Sequence, residues 1–499
     1  MKTKILFSLD GFLLHYCLAY YLKSHLDADF FGLIDINSKP KKFFENQTLV
    51  EFRKKWFFHD HIKKTDKEPD LDYLRDFEKK YKIDLWKLLL NERFFYLHNR
   101  FYKFEKKEIL SILEQEIKFY ESILEEIKPD YFLTYDPVFH HQKLLLDLCK
   151  SKGIKILSTI IGTGIKNKTI IVEDGATYDL DENDISKNSF KRKIDEEKIN
   201  KKSYDSVFQQ YLKKRNTGFS NKITALKDYL FSFDGELINS NFMYFGKSKL
   251  KVIKDAMALE LKRSYRYNFL QKNSIANPKL NSPFVYFPMS IEEEMNLLHY
   301  APYYTNQIEV IRHIAKAIPI SHMLYVKEHI AAGLRGWHDK KYYKEIIDLP
   351  NVKFINPQYD NKILIKNSDL VITIRGLSSV RALEFNKPSI VFGTQPVQIM
   401  PSVFRVESLM SLPEIIKKAI NHKVEPSEYK RYEQILDERL FEFNMFEYEN
   451  KRDESFFSGG ILSNVPISEK NMVNFLKKNK DMFLNLSNAH LKIISDQHT

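Results

Sequence analysis

The chain has 499 residues, 43% hydrophobic and 14% aromatic, which is too long for one small domain and apolar enough for more than one core. Lysine and arginine number 78 against 66 acidic residues, a formal charge of +12, so the surface favours anions: sugar nucleotides, phospholipid headgroups or nucleic acid. The absence of a DNA- or RNA-binding signature argues against nucleic acid, and two cysteines, Cys17 and Cys149, both inside apolar helical patterns, argue against a disulfide framework and for a reducing compartment.

The chain opens MKTKILFSLDGFLLHYCLAYYLK. Asp10 interrupts the apolar run and no small-residue cleavage site follows, so the segment reads as a strand over Ile5–Ser8, a turn at Asp10-Gly11 and a helix, not a signal peptide. No stretch reaches the roughly 18 apolar residues of a membrane span, and a cytoplasmic protein is expected. A second strand is predicted over Phe30–Asp35. From about residue 39 to 106 the pattern loosens into charged and aromatic residues, read as an insertion of short helices. Ile109–Ile127 is a long amphipathic helix and Tyr131–Thr134 a strand. A helix over His141–Lys152 ends at Gly153, where a residue tolerating positive φ is wanted. Strands over Ile154–Ile161 and Thr169–Val172 complete a βαβ alternation, so residues 1–182 are expected to form a first doubly wound, Rossmann-like lobe.

Residues 183–280 are lysine-rich and then helical and aromatic, an arm or linker in which Arg263, Tyr265, Arg266, Tyr267 and Phe269 also suit a membrane surface. Residues 281–424 return to alternation. Short apolar runs at Phe284–Phe287, Met323–Val326, Val352–Ile355, Leu370–Ile374 and Ser389–Phe392 are separated by amphipathic segments such as Gln307–Ile318 and Asn361–Asn367. This predicts a second Rossmann-like lobe with its ligand beyond the carboxyl ends of the strands. A helix over Pro413–Asn421 follows, and residues 425–499 read as a helical tail.

Three groups of residues carry candidate chemistry. Lys327 and His329, in YVKEH, follow one strand and suit a phosphate or carboxylate. Arg375, Gly376, Ser378 and Ser379 lie between the strand ending at Ile374 and the next helix. There glycine permits close backbone approach, serine hydroxyls cap the helix, and helix-start N–H groups attract phosphate. Glu173-Asp174-Gly175 ends the Thr169–Val172 strand; it is a paired carboxylate able to act as base or acid, or equally a simple Asp-Gly turn. His140 and His141 invite a metal reading, but adjacent helical residues point in different directions and no Cys/His set at ligand spacing supports them, so no metal is expected. Asp10, Gly11 and His15 hold the analogous place after the first strand and read as a turn.

The segments VYFP, LYVKEH, LPNVKFINP and SDLVITIRGLSSVRALEFNKPSIVFG together resemble the capsule polysaccharide biosynthesis family, specifically over residues 283–393 and only architecturally over 1–182. That family includes capsular Kdo transferases and is similar in fold to bacterial sialyltransferases. The resemblance implies a metal-independent GT-B glycosyltransferase without a cofactor: two lobes face a cleft, a CMP-sugar donor of Kdo or sialic-acid type sits on the C-terminal lobe, and a glycan or lipid-linked acceptor enters from the N-terminal one. It implies Asp174, with Glu173, as the catalytic carboxylates. His329 would contact the CMP phosphate, aided by Lys327, Arg375 and Gly376, and Ser378 and Ser379 would hold the same phosphate. This chain departs from the family at Ile330, where proline follows the histidine, at Arg381, where a glutamate is common, and at Ser290, where a histidine is frequent. A non-catalytic scaffold or glycan-binding protein of the same pathway and a nucleotide-sugar epimerase are the competing expectations, with contact at the inner membrane face compatible with the arm.

Overall fold

A computed structural model describes residues 2–37, 39–96, 101–160, 168–173, 241–437, 440–457, 459 and 464–496. The chain forms two compact units. Among the described residues the first draws on 2–173, 241–253 and 440–496, and the second on 254–437. Much of the expected arm, residues 183–240, and both Asp174 and Gly175 lie outside the described residues.

The first unit is built on a seven-stranded sheet in the order β13-β6-β5-β4-β1-β2-β3. Its strands are β1 (Thr3–Asp10), β2 (Ala28–Asp35), β3 (Lys54–Phe57), β4 (Tyr131–Tyr135), β5 (Lys155–Ile160), β6 (Lys168–Glu173) and β13 (Leu440–Glu442). β3 to β5 are parallel through β2, β1 and β4, as βαβ alternation requires. β6 breaks that expectation. It pairs antiparallel with β5, and β13 then pairs antiparallel with β6. β3 lies inside the stretch expected to hold only helices.

Alternating side chains of β1 serve two cores, as the pleat dictates. Ile5, Phe7 and Leu9 join one and Leu6 the other. The first core is closed by the helix Leu14–Leu22 and by the C-terminal residues Tyr448, Phe475, Phe483 and Leu486, all fully or nearly fully buried. The Tyr21 hydroxyl donates to the Leu476 carbonyl at 2.8 Å. From residue 440 the tail is therefore one face of the first unit, contributing a strand and three helices, while its first helix, Glu428–Asp437, falls in the second unit. The opposite core lies under the helix Lys106–Ile127 and the short helices of residues 58–96.

The second unit has a six-stranded, wholly parallel sheet in the order β12-β11-β10-β7-β8-β9. Its strands are β7 (Phe284–Pro288), β8 (Met323–Lys327), β9 (Val352–Ile355), β10 (Leu370–Thr373), β11 (Ser389–Val391) and β12 (Val403–Arg405). Both faces are covered, which is why these strands read as continuous apolar runs. Strand order reverses between β7 and β10, the position where doubly wound sheets open a crevice at their carboxyl edge. Each unit is thus a Rossmann-like α/β fold.

Candidate functional site

β7 separates the two loops singled out in the second unit. β8 flanks it on one side, with Pro288 opposite Lys327, and β10 on the other, with Leu370 and Val371 opposite Val285 and Tyr286. All three strands run the same way, so the loops at Lys327–His329 and Arg375–Ser379 leave the same edge of the sheet on either side of the strand-order reversal.

Lys327 is buried, and its ammonium donates to the Pro357 carbonyl at 2.9 Å. Glu328, 1% exposed, accepts from the Tyr343 hydroxyl at 2.9 Å and from the His329 N–H at 2.7 Å, with His338 Nε2 at 3.4 Å. Burial pushes its carboxyl up despite those partners. His329 is half-buried and accepts the Ala331 N–H on Nδ1 at 3.3 Å, capping the 3₁₀ turn Ile330–Arg335. A ring that accepts on Nδ1 carries its proton on Nε2. Burial, Lys327 and Arg335 together push the imidazole down to about 4, so at neutral pH it is an uncharged donor. The place of the family's proline is thus the first residue of an ordered turn.

Arg375 is held by three groups. Its Nε donates to the Thr394 carbonyl at 2.9 Å, an Nη donates to Asn296 Oδ1, and the guanidinium lies 4.0 Å from the Tyr300 ring centroid. Gly376 is closely packed: a Cβ there would meet Thr373 Oγ1 at 2.9 Å and force it to shift. The helix begins at Ser378, and its N-cap is Leu377, with no side-chain cap. The expected serine cap is therefore not made. Ser379 is buried, and its hydroxyl donates instead to the Gly376 carbonyl at 2.9 Å, bracing the glycine turn from inside. Ser378 is half-buried at the front of the turn. Arg381, at the place of the family's glutamate, donates to Glu384 of its own helix at 2.7 Å.

Glu173 ends β6 and is exposed. Because β6 is antiparallel, with Glu173 opposite Leu157, it emerges toward the amino edge of the neighbouring parallel strands. Glu173 thus stands at the end of its strand, as read from the sequence, but at the edge of the sheet opposite to Asp10 and Asp35.

The carboxyl edge of the first sheet carries a polar cluster that the sequence reading passed over. β1 and β2 both end in aspartate, and Asp10 and Asp35 stand opposite each other in register. Asp35 is bracketed by two imidazoles, with His59 Nε2 2.9 Å from one oxygen and His141 Nε2 2.8 Å from the other, and Gln142 donates to it at 3.1 Å. Burial alone would raise Asp35, but the two histidines outweigh it and hold the carboxyl well below its usual range. Asp10, half-buried, accepts the Phe12 N–H at 2.9 Å. Burial and the Asp35 charge push it up to about 7. Deeper in, His140 bridges Glu92 at 2.7 Å and Glu116 at 2.9 Å. Burial opposes its charge, yet Glu116 and Glu92 raise the imidazole to about 10. The available signals were apolar strands that end in Asp and a glutamate on the buried stripe of a long helix.

No protein-family model matches the chain, and no curated protein matches it. Among solved structures it is similar to a β-Kdo 2,7-transferase, KpsC of Thermosulfurimonas dismutans, at 11% identity and TM-score 0.31 over 65% of this chain and 82% of that one. A Methanocaldococcus jannaschii UDP-GlcNAc 2-epimerase bound to UDP-GlcNAc and UDP gives 12% identity and TM-score 0.26 over 88% and 100%. Anabaena HepE in complex with UDP-glucose gives 12% and 0.28 over 91% and 99%. Likeness this slight carries no functional argument, and the assignment has to come from the residues.

Proposed function

We propose that the chain is a glycosyltransferase of surface polysaccharide assembly that takes an acidic sugar from a CMP-sugar of Kdo or sialic-acid type. The observation that carries this is the shared edge of the second sheet, where a neutral His329 donor, the Arg375 guanidinium and a glycine turn packed close against Thr373 flank the strand-order reversal. A neutral imidazole N–H, backbone donors and a fixed cation suit a nucleotide phosphate, whose departure they would stabilise without a metal. Lys327 and Ser379 serve this site by shaping it, through Pro357 and Gly376. Asp174 remains our candidate for the catalytic carboxylate, with Glu173 beside it.

Exposed Leu250, Met257, Leu261 and Tyr265 on the lysine-rich helix Lys249–Asn273 support contact with a membrane surface, where a lipid-linked glycan acceptor would be met on the cytoplasmic side. Among the described residues no helix is long and apolar enough to cross a membrane.

A nucleotide-sugar epimerase is the second reading. It is favoured by Asp10, a half-buried carboxyl near neutrality at a sheet's carboxyl edge, as proton abstraction from a sugar carbon requires. Incubation with CMP-sialic acid, CMP-Kdo and UDP-GlcNAc, each with and without a glycan acceptor, separates the two. Transfer that requires acceptor and is abolished by Asp174→Asn supports the first reading. Conversion of UDP-GlcNAc without acceptor supports the second. Failure to bind any nucleotide at millimolar concentration would make the chain a scaffold.

A further inference from the structure

The buried half of the first unit's polar cluster lies outside the nucleotide site proposed above, which is in the second unit. Glu116 lies on the inner face of the helix Lys106–Ile127, while His140 and His141 open the helix His140–Ser151. All three are at most 1% exposed. One ring nitrogen from each histidine and one Glu116 oxygen lie within 4.8 Å of one another.

Each imidazole is anchored through a carboxylate, the outer arrangement that orients metal-bound histidines. Glu92 lies 2.7 Å from His140 Nδ1, and Asp35 lies 2.8 Å from His141 Nε2. An ionised carboxylate only accepts, so His141 gives its Nε2 proton to Asp35, and Nδ1 is the ring atom that a cation could take. Among the described residues that buried Nδ1 has no hydrogen-bond partner. A buried polar atom left without a partner costs free energy unless something occupies it. On the other side, His140 Nε2 sits 2.9 and 3.1 Å from the two Glu116 oxygens. That spacing is close to the ~3.0–3.4 Å expected between neighbouring ligands bonded to one zinc ion at ~2.1 Å.

We infer that Glu116, His140 and His141 bind a divalent transition cation of the zinc class, with Glu92 and Asp35 as positioning residues. Two imidazoles and a carboxylate are a donor set suited to zinc. The ion takes the place of the proton shared by His140 and Glu116, and binding releases that proton. Its role is structural: it ties the long helix to the chain that follows β4, beneath the carboxyl edge of the sheet. Sequence spacing gave no warning, because Glu116 is 24 positions from His140.

The test uses the full chain produced in zinc-supplemented medium, with metal content measured after gel filtration in metal-free buffer. About one equivalent of zinc is expected in the wild type, and loss of it in Glu116→Gln and His141→Gln that remain folded by circular dichroism. Glu92→Gln is expected to weaken zinc roughly 10-fold in competition with a chromophoric chelator. Because buried substitutions at these positions threaten folding, X-ray absorption at the zinc edge gives an independent reading on the wild type: two imidazoles and carboxylate oxygen. Less than roughly a tenth of an equivalent in folded wild type overturns the inference. So does a coordination sphere without imidazole, or full zinc retention by folded His141→Gln.

Discussion

Asp10 and Asp35 face each other at the ends of adjacent parallel strands, yet one is held ionised by two histidines and the other is pushed toward the protonated form. The asymmetry has a direct cause. Both imidazoles bond Asp35 and neither bonds Asp10, which burial first and then the Asp35 charge push up. The other charged or titratable groups facing Asp10 are Arg452 and Tyr448, from the helix Met445–Phe456. Arg452 lowers Asp10 only slightly, being spent largely on Asp453 and stacked over Phe12.

Asp10 should therefore make the protein less stable as pH rises. Its ordinary value is 3.8 and its folded value about 7, so between those limits the folded state holds the proton that the unfolded state has lost. Stability from this group is full below about pH 4 and is lost as pH climbs to about 7. Asp10→Asn should flatten that slope and stabilise the chain at pH 7.5 by on the order of 1–3 kcal/mol, discounted for partial exposure. Urea melts of both proteins at pH 5 and 7.5 check it. An unchanged slope would mean that Asp10 ionises normally.

His329 behaves oppositely. Its folded value of about 4 lies below the ordinary 6.5, so its contribution is complete above 6.5 and is lost as pH falls from there through 4. Across the neutral range the ring is an uncharged donor. His329→Ala is expected to weaken CMP-sialic acid binding by about 5–10-fold, the worth of one neutral hydrogen bond, with no histidine step in the wild-type affinity between about pH 5.5 and 8. Calorimetry with this donor, whose phosphodiester does not titrate there, reads both quantities. A step near pH 6.5 would show a charged imidazole on the ligand.

The C-terminal residues are part of the first core, so their removal should be severe. Ending the chain at residue 437 opens the core that holds Leu14 and Tyr21 and deletes β13, one of the two antiparallel partners of β6. Each large apolar side chain returned to water costs about 1.5–3 kcal/mol, and several together exceed the stability of an ordinary domain. The truncated chain is expected to be insoluble, whereas an independently folded tail would leave it soluble and cooperative in melting.

What the sequence revealed and concealed follows from the physics of each element. The strands of the second unit are legible because burial on both faces makes them unbroken apolar runs, as in Leu370–Thr373 and Met323–Lys327. β3, β12 and β13 are three- or four-residue edge strands with no pattern long enough to read. The direction of β6 was invisible because side-chain alternation is the same in parallel and antiparallel strands, and with it the edge at which Glu173 emerges. The Lys327–His329 and Arg375–Ser379 loops were found from strand ends, but their internal hydrogen bonds were not. Ser379 bonding back to Gly376 and Lys327 to Pro357 depend on where other loops fold. The His59–Asp35–His141 cluster joins residues up to 106 positions apart, a distance no local motif spans.

The central claim is that a nucleotide phosphate sits at the carboxyl edge of the second sheet, between the loops after β8 and β10. A crystal structure of the full chain soaked with CMP tests it most directly. The account predicts the phosphate within hydrogen-bond distance of His329 Nε2 and of the Arg375–Ser378 turn, with Gly376 closest to it. Nucleotide bound elsewhere on the chain, or none at millimolar CMP, would contradict it.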